Sequence, residues 1–365
     1  MHFQLTNEQT LIRDSFARFL ADRYDLSRRR KYLALPDGFS RDNWRELAEL
    51  GILGLAVPAD LGGIGGSAVD IMIVMEEVGY RAAVEPFAAT FATGAALAFA
   101  DDREEAAQLA EKMMGGTLLV APALLEARRG FGEQPLTTAR EEPGGHRLEG
   151  AKQRVSFPTA DLFLLNAGPG QQLFVVPSDT PGLSRHCYSV IDGAPACDLR
   201  LEDAAVAQPA LLVHSGKGAE ATESVTSILA FAGAAESVGI LRRLVETTRD
   251  YLKTRVQFGK PLATKQVIRH RVAEMYMHSE LARSAVIGAA VRQGNPGEWH
   301  RSIAAAKVTV GAAADFIGKQ AVQLHGGMGV SDEYEVSHAY KRLMVLNLLY
   351  GDARSYALRL GAMAD

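Results

Sequence analysis

Two short stretches of this chain bring together the residue types that bind oxyanions and flat rings. The first, Arg255-Val-Gln-Phe-Gly-Lys-Pro-Leu-Ala-Thr-Lys-Gln266, offers a guanidinium, an aromatic ring and amides around a chain break. The second, Gln323-Leu-His-Gly-Gly-Met-Gly329, offers an amide followed by bare backbone. Glycine lets a backbone approach a ligand closely, and exposed N–H groups and arginine bind phosphate oxygens. The candidate contacts are therefore Arg255, Phe258, Gln266, Gln323, Gly326 and Gly327, and the ligand they suit is planar and carries phosphate. Read singly, either stretch is equally a capped helix turn with a solvated arginine. The pairing of the two is what points to a ligand.

The elements that must position these residues are helices. Apolar residues from Val225 through Phe231, Val238 and Leu244 to Leu252 keep a helical period over about seven turns. A long, largely buried helix thus delivers its end to Arg255. Phe258-Gly259-Lys260-Pro261 breaks it, because proline cannot continue the hydrogen-bond ladder, and a second helix starts near Thr264. At the other end of the chain, Thr6-Asn-Glu-Gln9 is a capping box, and Ser40 opens a helix that ends at Gly51. Leu61-Gly-Gly-Ile-Gly-Gly66 lacks the spacing of a dinucleotide fingerprint and reads as a loop between helices. Ser67 caps the next helix, whose Glu76-Glu77 pair is most simply solvated. From Thr117 the pattern changes to short apolar runs split by glycine and proline, which is a small antiparallel β domain, and from Gly216 it is helical again. The expected class is α+β: an N-terminal helical domain over 1–115, a β domain over 116–215 and a C-terminal four-helix bundle over 216–365.

With 365 residues, 47% of them hydrophobic, the chain is long enough for two or three packed units. A net charge of -4 leaves no electrostatic footprint for nucleic acid. Cys187 and Cys197 have no metal-ligand partners at short spacing and read as reduced thiols. No unbroken apolar run reaches the length of a membrane span, and Met1 to Thr6 lacks the basic and apolar regions of a signal peptide, so a cytoplasmic protein is expected.

Together the two motifs resemble R-x-x-F-G-x-x-x-x-x-x-Q and Q-x-x-G-G-x-G of the acyl-CoA dehydrogenase family, and the order helices, sheet, helices is similar to that family's architecture. The resemblance implies FAD, bound by these motifs across a subunit interface, hence a homo- or hetero-oligomer. It implies an acyl-CoA substrate and an electron-transferring flavoprotein as acceptor. Within the sheet, Gly150-Ala-Lys-Gln-Arg-Val-Ser156 resembles the family's G-x-K-x-W-I-T, with Arg154 at the Trp position and Ser156 at the Thr position, where it can donate to a flavin nitrogen. The family's T-E-P-x-x-G-S motif falls near Ala121 to Gly130, where this chain reads Ala-Pro-Ala-Leu-Leu-Glu-Ala-Arg-Arg-Gly.

The reaction implied removes a proton beside the thioester while a hydride leaves Cβ for flavin N5, and it needs a carboxylate in apolar surroundings. In most members that carboxylate is the Glu of Y-E-G-T. Here the loop reads Leu349-Tyr-Gly-Asp-Ala-Arg354, so Gly351 stands at the catalytic position. Two substitutes offer themselves. Asp352 is one residue late. Glu236 lies two helical turns beyond Leu229, the position from which some members take their base on the long helix, and its neighbours are small and apolar. The structural alternatives are an ion pair of Glu236 with Arg242 or another basic residue, and of Asp352 with Arg354. His325 is expected to pack or cap rather than catalyse. Loss of the Y-E-G-T and T-E-P motifs leaves a second reading open: a catalytically degenerate partner that completes the FAD site of an active homologue.

Overall fold

The capping box forms as written: Gln9 N–H donates to the Thr6 hydroxyl and Thr6 N–H to the Gln9 side chain, each at 3.1 Å. It opens α1 (Asn7–Arg23), which buries Phe16 and Leu20. The computed structural model describes residues 5–127, 129–130 and 133–363, without the side chain at 215. After α1 come α2 (Leu26–Leu33), α3 (Arg41–Glu49), α4 (Ala68–Arg81), α5 (Phe87–Leu97) and α6 (Arg103–Met114). Strands β1 (Val120–Ala123), β2 (Thr138–Glu142), β3 (Gly145–Ser156), β4 (Leu162–Ala167), β5 (Gln172–Pro177), β6 (Leu183–Ser189), β7 (Pro195–Ala207) and β8 (Leu211–Val213) follow. The remainder is α7 (Ser215–Thr254), a hairpin of β9 (Val256–Gln257) and β10 (Lys260–Pro261), then α8 (Gln266–Ala290), α9 (Pro296–His325), α10 (Glu335–Leu348) and α11 (Ala353–Ala362). Helices, sheet and helices are what the sequence led one to expect.

By packing, the chain falls into two units that are each discontinuous in sequence. The first gathers Met1–Arg30, Ala68–Ala83 and Ala230–Asp365; the second gathers Lys31–Ser67 and Val84–Leu229. In the first unit, α4 meets the later part of α7 at a reciprocal glycine crossing. A Cβ on Gly79 would lie 1.8 Å from the Glu236 carbonyl oxygen, and one on Gly239 would lie 1.9 Å from that of Glu76, so neither position admits a side chain. This closeness buries Glu76 and Glu77, contrary to the solvated pair read from sequence. Glu77 accepts from Arg242 at 2.9 Å, and Arg283 lies 3.6 Å from Glu76, whose acidity burial nonetheless weakens. Charged neighbours from other elements, invisible in a linear pattern, make that burial tolerable.

The second unit holds two four-stranded sheets, ordered β1-β4-β5-β8 and β2-β3-β7-β6. All ladders are antiparallel except β1 with β4, which run parallel. Phe163, Phe174, Leu199 and Leu201 are fully buried in its core. The glycine cluster is a tight loop, as expected: Ile64, Gly65 and Gly66 donate to the carbonyls of Gly54, Val57 and Leu55, and a Cβ on Gly63 would lie 2.1 Å from the Val57 oxygen.

α7 belongs to the second unit up to Leu229 and to the first from Ala230. By length and composition it is apolar enough to cross a membrane, but its apolar residues are buried inside the protein, as in a core helix. A search for unbroken apolar runs passes over it because Gly233, Glu236 and Ser237 interrupt the stretch.

Candidate functional site

Phe258 and Gly259 are the two central residues of the β9–β10 hairpin, and both have positive φ, 54° and 74°. That is the backbone of a type I′ turn, which matches the twist of the flanking strands and normally recruits Asn-Gly. A phenylalanine there is strained. The strained residue holds its ring out to 88% exposure, where Lys265 Nζ lies 5.9 Å from the ring centroid but burial against the described residues does not repay the strain. The hairpin is closed by Leu262 N–H donating to the Arg255 carbonyl at 2.9 Å. The Arg255 guanidinium has no hydrogen bond or ion pair with the described residues, and Gln266, at the first position of α8, is exposed.

The second motif ends α9 at the same corner. Tyr251, one turn before Arg255, stacks on His325 with ring centroids 4.4 Å apart, and Tyr334 flanks His325 at 5.3 Å. His325 fills the packing role expected of it: it is buried, its Nδ1–H donates to the Ala321 carbonyl at 2.8 Å, and burial lowers its pKa so that the ring stays neutral. This stack ties the end of α7 to the end of α9, and with them Arg255 to Gln323, Gly326 and Gly327, all exposed. Gly326 has φ +60°, and a Cβ on Gly326 or Gly327 would meet nothing within 4 Å among the described residues. Crowding within the chain therefore gives no reason for glycine at 327. A free arginine, two exposed amides, an unpacked ring and open backbone together fit a ligand with phosphate oxygens and flat rings, as FAD has.

The candidate carboxylates are both occupied. Glu236, on α7, is 4% exposed, and Arg342 of α10 grips it with two bonds, Nε to Oε1 at 2.6 Å and a terminal nitrogen to Oε2 at 3.0 Å. The partner is thus neither absent nor Arg242. Asp352 caps α11, accepting from Ser355 N–H at 2.6 Å, and the Ser355 side chain together with this backbone bond holds its carboxyl below the usual range. Between them, Gly351 has φ +96°, and a Cβ there would lie 2.7 Å from the Tyr356 ring. Tyr356 also donates to the Tyr350 carbonyl at 3.1 Å. Beneath the loop, buried Lys307 of α9 donates to the Leu346 and Leu349 carbonyls at 3.1 and 3.2 Å, closing the end of α10; burial lowers its pKa to about 8.

In the second unit, Ser156 is half-buried at the end of β3, opposite Ala196. Arg154 sits at a bulge with φ +53°, its side chain exposed and its N–H donating to Asp198 at 2.9 Å. One pair escaped the sequence reading. Lys152, fully buried, spends its three protons on Glu126 (2.6 Å) and on the carbonyl and side-chain oxygens of Asn166 (2.7 and 2.8 Å). Glu126 accepts in addition from Leu136 N–H, Thr137 N–H and the Thr137 hydroxyl. Burial lowers the lysine's pKa to about 8, while the ion pair and these bonds lower that of Glu126 against its own burial. The signal lay in the spacing: Glu126 precedes Gly130 by four, as Glu precedes Gly in E-P-x-x-G, and Lys152 is the lysine of G-x-K.

Among known proteins, the family model described as acyl-CoA dehydrogenase, N-terminal domain, matches residues 6–111, and that for the C-terminal domain matches residues 206–359. A probable acyl-CoA dehydrogenase of Bacillus subtilis, YngJ, is 27% identical over 99% of this chain and 98% of its own length. The caffeyl-CoA reductase-Etf complex subunit CarC of Acetobacterium woodii is 26% identical over 89% of this chain and 90% of its own. A solved structure of a variant of the Tcur3481-Tcur3483 steroid ACAD superposes with TM-score 0.88 at 27% identity, covering 98% of this chain and 97% of that one.

Proposed function

Because this chain belongs to the acyl-CoA dehydrogenase family, we propose that it serves the FAD-dependent α,β-dehydrogenation of an acyl-CoA thioester, in an oligomer where its Arg255 corner holds the FAD of an adjacent subunit. FAD, when bound, supplies the acceptor for the electron pair that leaves with the Cβ hydrogen. The chain's own residues do the rest. Arg255 binds phosphate oxygens through charge-assisted hydrogen bonds, Gln266 and Gln323 add neutral ones, Phe258 covers an apolar face, and Gly326 with Gly327 leaves room for close approach. Ser156 donates to the flavin bound in its own subunit. The proton at Cα goes to a carboxylate, for which Glu236 and then Asp352 are this chain's candidates. An electron-transferring flavoprotein is the next acceptor, in keeping with the complex in which the Acetobacterium relative takes part.

The observation that carries this reading is the unpaired Arg255 beside open glycine backbone. Arg255→Ala would remove a charge-assisted contact worth about 1.5–3 kcal/mol. At matched folding it is expected to lose FAD by roughly 10- to 100-fold in affinity. Unchanged FAD retention would remove the assignment.

One observation favours the partner reading: Glu236 is held by Arg342 and Asp352 by the start of α11, so neither is idle. The base would then come from an active homologue, and the name Tcur3481-Tcur3483 joins two proteins in such a relative. The absorption spectrum of the purified chain separates the two. A flavin band at one per chain supports a self-sufficient homo-oligomer, and a colourless chain that gains flavin with a homologue supports the partner.

A further inference from the structure

Among the described residues β6 is an edge strand with β7 as its one neighbour, and in that ladder Cys187 stands directly opposite Cys197. Directly paired residues share a face of the sheet. The turn that joins the strands fixes the kind of pair. Val190 N–H donates to the Ala194 carbonyl at 3.0 Å and its carbonyl accepts from Gly193 N–H at 2.9 Å, so a bulge with Gly193 at φ +86° closes the ladder at a hydrogen-bonded position, 190 against 193 and 194. Bonded and non-bonded pairs alternate along an antiparallel ladder, so 188 with 196 is bonded, while 189 with 195 and 187 with 197 are not. Pro195, which has no N–H to give, occupies one of these non-bonded positions. Non-bonded pairs bring Cα atoms to about 4.5 Å, inside the ~4.4–6.8 Å that a disulfide spans. Cys187 is exposed and Cys197 is wholly buried.

We propose that Cys187 and Cys197 form a peroxide-reactive pair that closes a disulfide across the edge of this sheet. The Cys187 thiolate attacks one oxygen of hydrogen peroxide; an S–O bond forms, the O–O bond breaks, and hydroxide leaves as water with the proton released by Cys187. The Cys197 sulfur then attacks the resulting sulfenic sulfur; the S–S bond forms, the S–O bond breaks, and a second water carries off the Cys197 proton. Two thiols lose two electrons and two protons, and one peroxide becomes two waters. The order follows from access: Cys187 meets solvent, whereas Cys197 is buried, and burial pushes its thiol up to about 12, so it is protonated and shielded from peroxide. On its other side β7 pairs with β3, Cys197 opposite Val155 and Ala196 opposite Ser156, so the bond would stiffen the strand beside the candidate flavin contact.

The purified full chain, treated with hydrogen peroxide and then alkylated under denaturing conditions, gives the test. No Lys or Arg lies between the cysteines, so one tryptic peptide from His186 to Arg200 holds both, and Asp192 separates them. The expected result is that peptide lighter by two hydrogen atoms, with halves that stay joined after cleavage before Asp192 and part on reduction. Cys187→Ser should abolish the linkage and leave Cys197 open to alkylation. Oxygen atoms accumulating on Cys187 while Cys197 remains alkylatable would overturn the proposal, and so would a disulfide joining two chains.

Discussion

At Gly327 the space is empty and the backbone unstrained within the chain, so the argument for glycine comes from what lies outside it. Gly327→Val is expected to fold, with helical circular dichroism unchanged, and to lose flavin; flavin at wild-type stoichiometry would reduce the motif to a helix terminus. The carboxylates call for a paired comparison. Glu236→Gln and Asp352→Asn, each reconstituted with FAD and mixed anaerobically with an acyl-CoA thioester, report the base by flavin bleaching. Loss in Glu236→Gln alone is expected if Glu236 serves, although removing the anion facing Arg342 will also cost up to about 3 kcal/mol in stability. Loss in Asp352→Asn alone reverses the assignment, and loss in neither assigns the base to another chain. Returning a carboxylate to the family's usual position is predicted to fail. Gly351→Glu meets positive φ, worth about 1–3 kcal/mol, and the Tyr356 ring besides. A lower melting temperature with no faster bleaching is expected, and restored bleaching would count against the observed loop.

The elements were largely legible. Capping residues and helical periods marked α1, α3 and α7, and short apolar runs marked the strand region though not β6 or β8, because those signals are local and β6 is largely polar. Residues whose roles depend on pairing across elements were not: Glu76 and Glu77 looked solvated until Arg242 and Arg283 came from α7 and α8, and the basic partner weighed for Glu236 could be named as Arg342 of α10 only in the fold. Arg255 and Gly326 lie near breaks that glycine and proline announce, yet the Tyr251–His325 stack that joins them could only be seen folded. The buried lysine closing α10 makes a prediction for that element. With its pKa near 8 in the fold against 10.5 unfolded, the unfolded chain binds more protons between those values. Lys307 therefore disfavours folding below about pH 8, and this penalty is relieved as pH rises towards 10.5. Urea midpoints at pH 7.5 and 10 should show wild type gaining relative to Lys307→Met; parallel changes in both proteins would remove Lys307 as the cause.

At the scale of the whole molecule, the arrangement of domains along the chain and the arrangement of packed units are different things. Sequence patterns mark where helices give way to strands, but they carry no mark of which distant segments share a core, so α1 and α4 joining α8 to α11 in one unit was not legible. That interleaving has a consequence for how the protein is made. The second unit is complete once Leu229 has been added, whereas the first needs Met1–Arg30 and Ala68–Ala83 together with everything from Ala230. At about 5–20 residues per second, α1 and α4 wait on the order of ten seconds or more before α8 to α11, the other helices of their unit, are made. During that interval the apolar faces of α1 and α4, Phe16 and Leu20 among them, have only each other to pack against, and a chaperone that meets the chain as translation proceeds would find its client there.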